Sequence, residues 1–225
     1  YRAKVYVALN TILYDDELPE AERIAWELFR AGADALIVQD MSLCRLNLPP
    51  IALHASTQCD IRTVEKVRMF ESLGYEQVVL ARELSLPEIR KIADSTSVVL
   101  EAFVHGALCV SLSGQCYLSE ALTRRSANRG ACAQLCRLPY TMIDADGKVI
   151  RSNQHLLSLK DLNRSAELES MLEAGISSFK IEGRLKGISY VKNVTAHYRR
   201  LLDELISRYP ERYYRASSGR CTFAF

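Results

Sequence analysis

The sequence predicts an α/β fold, a partial TIM-type (β/α) barrel with about six of its eight parallel strands present. Two observations carry this. Short β-rich apolar runs alternate with amphipathic helical patterns, the signature of a parallel sheet with helical crossovers. Polar residues recur at the C-terminal ends of those runs, where barrels place their working groups. No Gly-rich dinucleotide fingerprint follows any strand, which argues against a nucleotide-binding open sheet. A cysteine-rich insertion over residues 105–151, ending in a β-hairpin, interrupts the alternation before the last strand.

The elements follow in order. Residues 4–10 (KVYVALN) read as a buried strand. A helix over 19–31 comes next, with Ala21, Ile24, Ala25, Leu28 and Phe29 at helical spacing; Pro19 suits its first turn and Gly32 ends it. Strands are predicted over 35–39 (ALIVQ) and 51–56 (IALHAS), then a helix over 61–73 that stops at Gly74. Residues 77–81 (QVVLA) form the fourth strand, 87–94 a helix and 98–104 (VVLEAFV) the fifth strand. The span 140–151 reads as a hairpin around Ala145, Asp146 and Gly147. Residues 161–174 predict a helix, 178–182 (SFKIE) the sixth strand and 189–207 a long final helix. The chain opens on Tyr1 and not Met, and is expected to belong to a longer protein: one barrel-like domain over 1–225, lacking its first two strand–helix units and continuing into a further domain.

Composition is that of an ordinary globular domain, 48% hydrophobic and 25% charged. No apolar run approaches the roughly 18 residues of a membrane span, and no signal peptide opens the chain, so a cytoplasmic protein is expected. A net charge of +2 makes no bulk case for nucleic acid. The distribution is less even. Arg124, Arg125, Arg129 and Arg137 fall in one stretch without an acid, and a second basic stretch covers residues 199–220. Each reads equally as a solvated surface or as a phosphate-binding element.

Polar residues at strand ends include Asn10, Gln39, Asp40, His54, Ser56, Gln58, Arg82 and Glu83. Glu101 interrupts an apolar strand, where an unpaired carboxylate is costly. A salt bridge to Lys180 or Arg184 and a catalytic role are both open. Lys180, Glu182 and Arg184 alternate along one strand and its extension, so they share a face.

The strongest signal is four cysteines, Cys109, Cys116, Cys132 and Cys136, separated by six, fifteen and three residues. In a chain without secretion signals such a group reads as a metal or cluster site, not as disulfides. Zinc knuckles pair cysteines two to four residues apart, which only Cys132 and Cys136 satisfy. Iron–sulfur clusters also take four thiolates, with more varied spacing. A nucleophilic Cys109 with His105 as its base is a third reading. Cys44, Cys59 and Cys221 read as bystanders.

The runs EAFVHGALCVSLSGQC, RRSANRGACAQLCRLPY, FKIEGRLK and YVKNVTAHYR closely resemble the signature of the collagenase-like peptidase family U32 across essentially the whole chain. The cysteine segment is most similar to the branch that hydroxylates a cytidine of the 23S ribosomal RNA; other branches act on a tRNA uridine or, with a partner protein, in ubiquinone synthesis. The resemblance implies oxygen-independent hydroxylation with prephenate as hydroxyl source, and a four-iron cluster on Cys109, Cys116, Cys132 and Cys136, with zinc as the alternative. Within the matching motifs, Glu101, His105, Lys180 and Glu182 are the candidate catalytic residues. Arg124 and Arg125 are candidates for RNA phosphate, and Asn128, Arg129 and Arg184 for substrate, an arginine gripping a prephenate carboxylate. Two other readings stay open: a collagenase-like peptidase, as the family name says, and a module in which metal staples a loop that binds RNA or a protein partner.

Overall fold

A computed structural model describes residues 3–214. Cys221 and the tail predicted to enter a further domain lie outside those residues. Strands β1 (Tyr6–Leu9), β2 (Ala35–Val38), β3 (Ala52–Ala55), β4 (Gln77–Val79) and β5 (Val99–Gly106) lie side by side in chain order, each parallel to the next. Strands β6 (Tyr140–Ile143) and β7 (Val149–Gln154) form a separate hairpin, β8 is only Leu162–Asn163, and β9 (Ser178–Ile181) joins the far side of the series, parallel to β5. Among the described residues, six parallel strands thus run in sequence order, with no reversal of the kind that makes the switch point of a doubly wound sheet.

Helices α1 (Leu18–Arg30), α2 (Val64–Ser72) and α3 (Leu86–Ala93) are the predicted crossovers. Each start is legible in the residues. Pro19 stands in the first turn of α1. Thr63 caps α2 by accepting from the Lys66 N–H at 3.2 Å. Ser85 and Glu88 form a reciprocal capping box on α3. Ala21 and Ala25 let α1 approach the sheet, and Val67, Phe70, Ile89 and Ile92 bury the faces of α2 and α3. Each large side chain so buried contributes about 1.5–3 kcal/mol.

The period of two divides the sheet. Leu36, Val38, Ala55, Val78, Leu80, Leu100, Ala102 and Val104 enter the apolar core. The alternate residues face the other way, and among them His54, Gln77 and Glu101 are buried polar groups.

Three elements differ from expectation. The helix predicted over 161–174 is only α5 (Leu168–Glu173). Its first residues form β8, which pairs antiparallel with the end of β5, and the Arg164 N–H donates to Val104 O at 2.9 Å. A short helix α4 (Leu118–Thr123) appears inside the cysteine segment. The last helix, α6, runs Ile188–Arg208, close to prediction. No helix among the described residues is long and apolar enough to cross a membrane.

Candidate active site: a thiol-rimmed cleft at the strand ends

A cleft of about 360 Å³ opens at the C-terminal ends of the strands. Ala8, Ile37, Phe103 and Lys180 line it from the sheet, Arg82, Asn128, Glu182 and Arg184 from the walls, and Cys109, Cys116 and Cys132 from the cysteine segment. Sheet topology collects these residues: parallel strands in register bring all their C-terminal ends to one side.

Glycines let the backbone close around it. Gly106 has φ +113°, and a Cβ there would lie 2.6 Å from Glu182 Cβ. Gly114, between the first two cysteines, has φ +71°, and a Cβ would lie 2.0 Å from Gln58 O. Only glycine permits that approach. The Ser113 N–H donates to Glu83 at 3.0 Å and holds the same turn.

The second half of the segment is tied down by side chains. Ser119 Oγ accepts from the Ala133 N–H at 2.9 Å, and the Gln134 N–H points at Cys132 Sγ at 3.3 Å. Arg137 donates to Leu108 O, Ser158 Oγ and Leu159 O. Arg129 donates to both carboxylate oxygens of Glu17, at 2.6 and 2.9 Å, and to Ile12 O.

Cys109, Cys116 and Cys132 line the cleft, and Cys116 and Cys136 are near enough to Cys109 to bear on its titration. Loss of water around the Cys109 thiol pushes its pKa up; Cys116 and Cys136 add to this, and Arg82 opposes it. As the side chains stand, no three His, Cys, Asp or Glu residues among those described are gathered into a metal-holding group. The donor set is nonetheless a soft one, thiols on a single cleft, which suits zinc or an iron–sulfur cluster better than hard cations.

Below the cleft, Glu101 is fully engaged. It accepts from Lys180 Nζ at 2.6 Å, from Ser178 Oγ at 2.8 Å and from the Gln77 amide. This ion pair is one of the two readings open for Glu101 in the sequence. His54 lies edge-on to the Tyr6 ring at 4.6 Å, and its buried Nδ1 has no hydrogen-bond partner among the described residues. Burial pushes its pKa down, toward the neutral imidazole.

The remaining predicted residues separate. Asn128 is buried in the cleft wall, while Arg124 and Arg125 lie on an exposed turn at the end of α4. Arg184 lines the cleft and remains exposed. Two of the predicted residues have other partners in the structure. Arg129, assigned to substrate, is committed to Glu17 and stacks on Tyr14, its guanidinium carbon 4.1 Å from the ring centroid. His105, a candidate catalytic base, turns instead to α6: its Nδ1 is 3.3 Å from Tyr198 Oη, and it does not line the cleft. A β-bulge in β5 lies between Phe103 and His105. The Gly114 contact with Gln58 and the stacking of Arg82 on Phe103 had no sequence signal beyond a glycine between cysteines and a cation at a strand end.

With this geometry in view, the profile of peptidase family U32 matches residues 1–221. The chain belongs to that family. It is 56% identical, over all 225 residues, to the 23S rRNA 5-hydroxycytidine C2501 synthase of Escherichia coli, covering 34% of that protein. It is 36% identical over 212 residues to tRNA hydroxylation protein P1 of Bacillus subtilis, covering 90% of this chain and 50% of the relative. It is also 36% identical over 214 residues to a collagenase of Porphyromonas gingivalis, covering 89% and 51%. The U32 chain described here therefore spans about a third to a half of these relatives.

Proposed function

We propose that this U32 chain forms the active-site part of an enzyme that hydroxylates a cytidine of 23S ribosomal RNA. The observation that carries the proposal is the 56% identity across the whole chain to the E. coli synthase, with the cleft lying inside the matched residues. The sheet is read as the arc of a (β/α) barrel, because six parallel strands run in chain order and the polar cleft opens at their C-terminal ends.

Cys109, Cys116, Cys132 and Cys136 would hold a four-iron cluster, which when bound supplies one-electron chemistry. The chain's own residues do the rest. Arg184 at the rim leaves the cleft wall with a net positive charge, suited to a carboxylate-bearing hydroxyl donor such as prephenate. Asn128 offers an amide at the wall, and Phe103 an apolar floor. Arg124 and Arg125 stand outside on the surface, where RNA phosphate can reach them. The peptidase reading has less support: among the described residues, no histidine lines the cleft.

The test is an E. coli strain lacking its own synthase, complemented with the intact protein. Mass mapping of 23S RNA is expected to show the hydroxylated cytidine restored, and lost again with Cys109→Ala or Cys132→Ala. Iron and sulfide counts on anaerobically purified protein separate a cluster from zinc. Normal hydroxylation with either cysteine variant would sink the proposal.

A further inference from the structure

Arg82 is the one cation in the cleft whose hydrogen bonds are left incomplete in a buried setting. It follows β4, and its guanidinium carbon lies 3.9 Å from the centroid of the Phe103 ring. Stacking covers a face of the guanidinium and leaves its edges for in-plane acceptors. One terminal nitrogen donates to Ala107 O at 3.3 Å and the other to Glu182 at 3.2 Å. Both contacts are long for a charged donor, since charge-assisted bonds settle near 2.7–2.9 Å. The Nε–H is buried and meets no acceptor among the described residues. A buried unpaired donor costs about 1–3 kcal/mol and is a reason to look for a ligand.

Its surroundings favour an anion. Lys180 is neutralised by Glu101, and Arg82 by Glu182 through a single long contact. The Arg184 side chain lines the same cleft and makes no ion pair or hydrogen bond among the described residues. The balance on the cleft wall is therefore positive. The volume suits a small molecule, and Arg82 is only 17% exposed, too recessed for the backbone of a folded RNA.

We infer that Arg82 is the carboxylate-binding residue of this cleft, with Arg184 as the second cation at its rim. A small organic carboxylate takes the open Nε–H and an adjacent terminal N–H of Arg82 side-on, displacing Glu182. The inference rests on the proposed reaction for the identity of the ligand, and on the cleft itself for its chemical class.

The experiment is calorimetric titration of prephenate into the intact, anaerobically purified protein with its native metal content. Wild-type protein is expected to bind. Arg82→Gln should weaken binding about tenfold or more, the scale of losing a charge-assisted hydrogen bond. Arg82→Lys keeps the charge but loses the planar fork, so it should weaken binding as well; it carries the test if the glutamine variant does not fold. Glu182→Gln removes the resident carboxylate and should bind at least as tightly as wild type. A merely structural Arg82–Glu182 bridge predicts the opposite, equal losses from both partners. That outcome, or wild-type affinity in the Arg82 variants, overturns the inference. So does a wild-type protein that ignores prephenate, or a loss confined to a 23S RNA fragment, which would assign Arg82 to phosphate. Mass mapping of RNA in the complemented strain reports separately on the hydroxylation reading.

Discussion

Arg129 and Glu17 lie 112 positions apart and are joined by two hydrogen bonds, at 2.6 and 2.9 Å. The pair fastens the turn before Cys132 to the connection between β1 and α1. The Arg129 guanidinium holds the Glu17 carboxyl down at about 2, well below its ordinary 4.5. A depressed carboxylate stabilises the folded state above its unfolded pKa, and that contribution fades as pH falls toward the folded value. The fastening is therefore complete above about pH 4.5 and disappears as pH approaches 2. Glu17→Gln should raise proteolytic cleavage within residues 124–137 severalfold at neutral pH. It should also remove the acid dependence of that cleavage over this window. Unchanged cleavage would mean the segment is held elsewhere.

Lys180 and Glu101 pose a different problem, because the carboxylate is buried and the ammonium is 28% exposed. Removing one partner of such a pair leaves an uncompensated charge. Lys180→Met should cost about 3 kcal/mol, the low end of the usual range because water reaches the lysine. The double variant Lys180→Met with Glu101→Gln should recover most of that loss. Urea unfolding of the two variants measures both numbers, and an additive double variant would show that the pair is not coupled.

Most of the scaffold was legible in the sequence, and the reasons are local. The strands and three crossovers announce themselves through apolar runs, Pro19, the Ser85–Glu88 box and Gly32. The cysteine segment stood out in the sequence as a candidate site but not as a shape. Its conformation rests on non-local contacts, such as Gly114 against Gln58 and Arg137 against Leu108. Side-chain roles were readable only where pairing is forced. A carboxylate inside β5 demands a partner, and Lys180 supplies it. Nothing local to the sequence says that Arg129 faces Glu17, or that His105 turns toward α6.

Gly114→Ala tests the closeness of the first cysteine loop. The added methyl cannot share space with Gln58 O, and φ +71° is strained for alanine. The loop must move, taking Cys109 and Cys116 with it. If the thiols hold the proposed cluster, iron content per chain should fall while the far-UV circular dichroism stays unchanged. Full iron in this variant would show that the loop does not position the thiols.

Arg124 and Arg125 sit on an exposed turn, and Arg125 reaches Cys132 O, at 3.5 Å. If they meet phosphate, each neutralised contact releases counterions. Replacing either with Gln should lower the slope of log affinity against log salt by about 0.7–1 for a 23S RNA fragment. The loss should be similar for fragments of other sequence, since phosphate contacts carry no base information. An unchanged slope would make the turn an ordinary solvated surface.

Tyr198 tests whether His105 belongs to packing or to chemistry. Its hydroxyl donates to Val104 O at 2.8 Å and stands 3.3 Å from His105 Nδ1 and 3.2 Å from Asn163 Oδ1. It thereby joins α6 to the end of β5 and to β8. Tyr198→Phe removes this bond but leaves Val104 O the Arg164 N–H as donor, and should cost about 0.5–1.5 kcal/mol in unfolding. If the proposed hydroxylation holds, its rate per folded molecule should be preserved, because the lost bonds lie on the helix side of the sheet. His105→Gln keeps a hydrogen-bonding group near Tyr198 and should behave the same way, with a smaller stability loss. A catalytic base answers differently: its removal costs about 100-fold or more in rate with stability nearly intact. A normal unfolding curve joined to a collapsed rate in His105→Gln would return that imidazole to the reaction, and would require the end of β5 to rearrange when substrate binds.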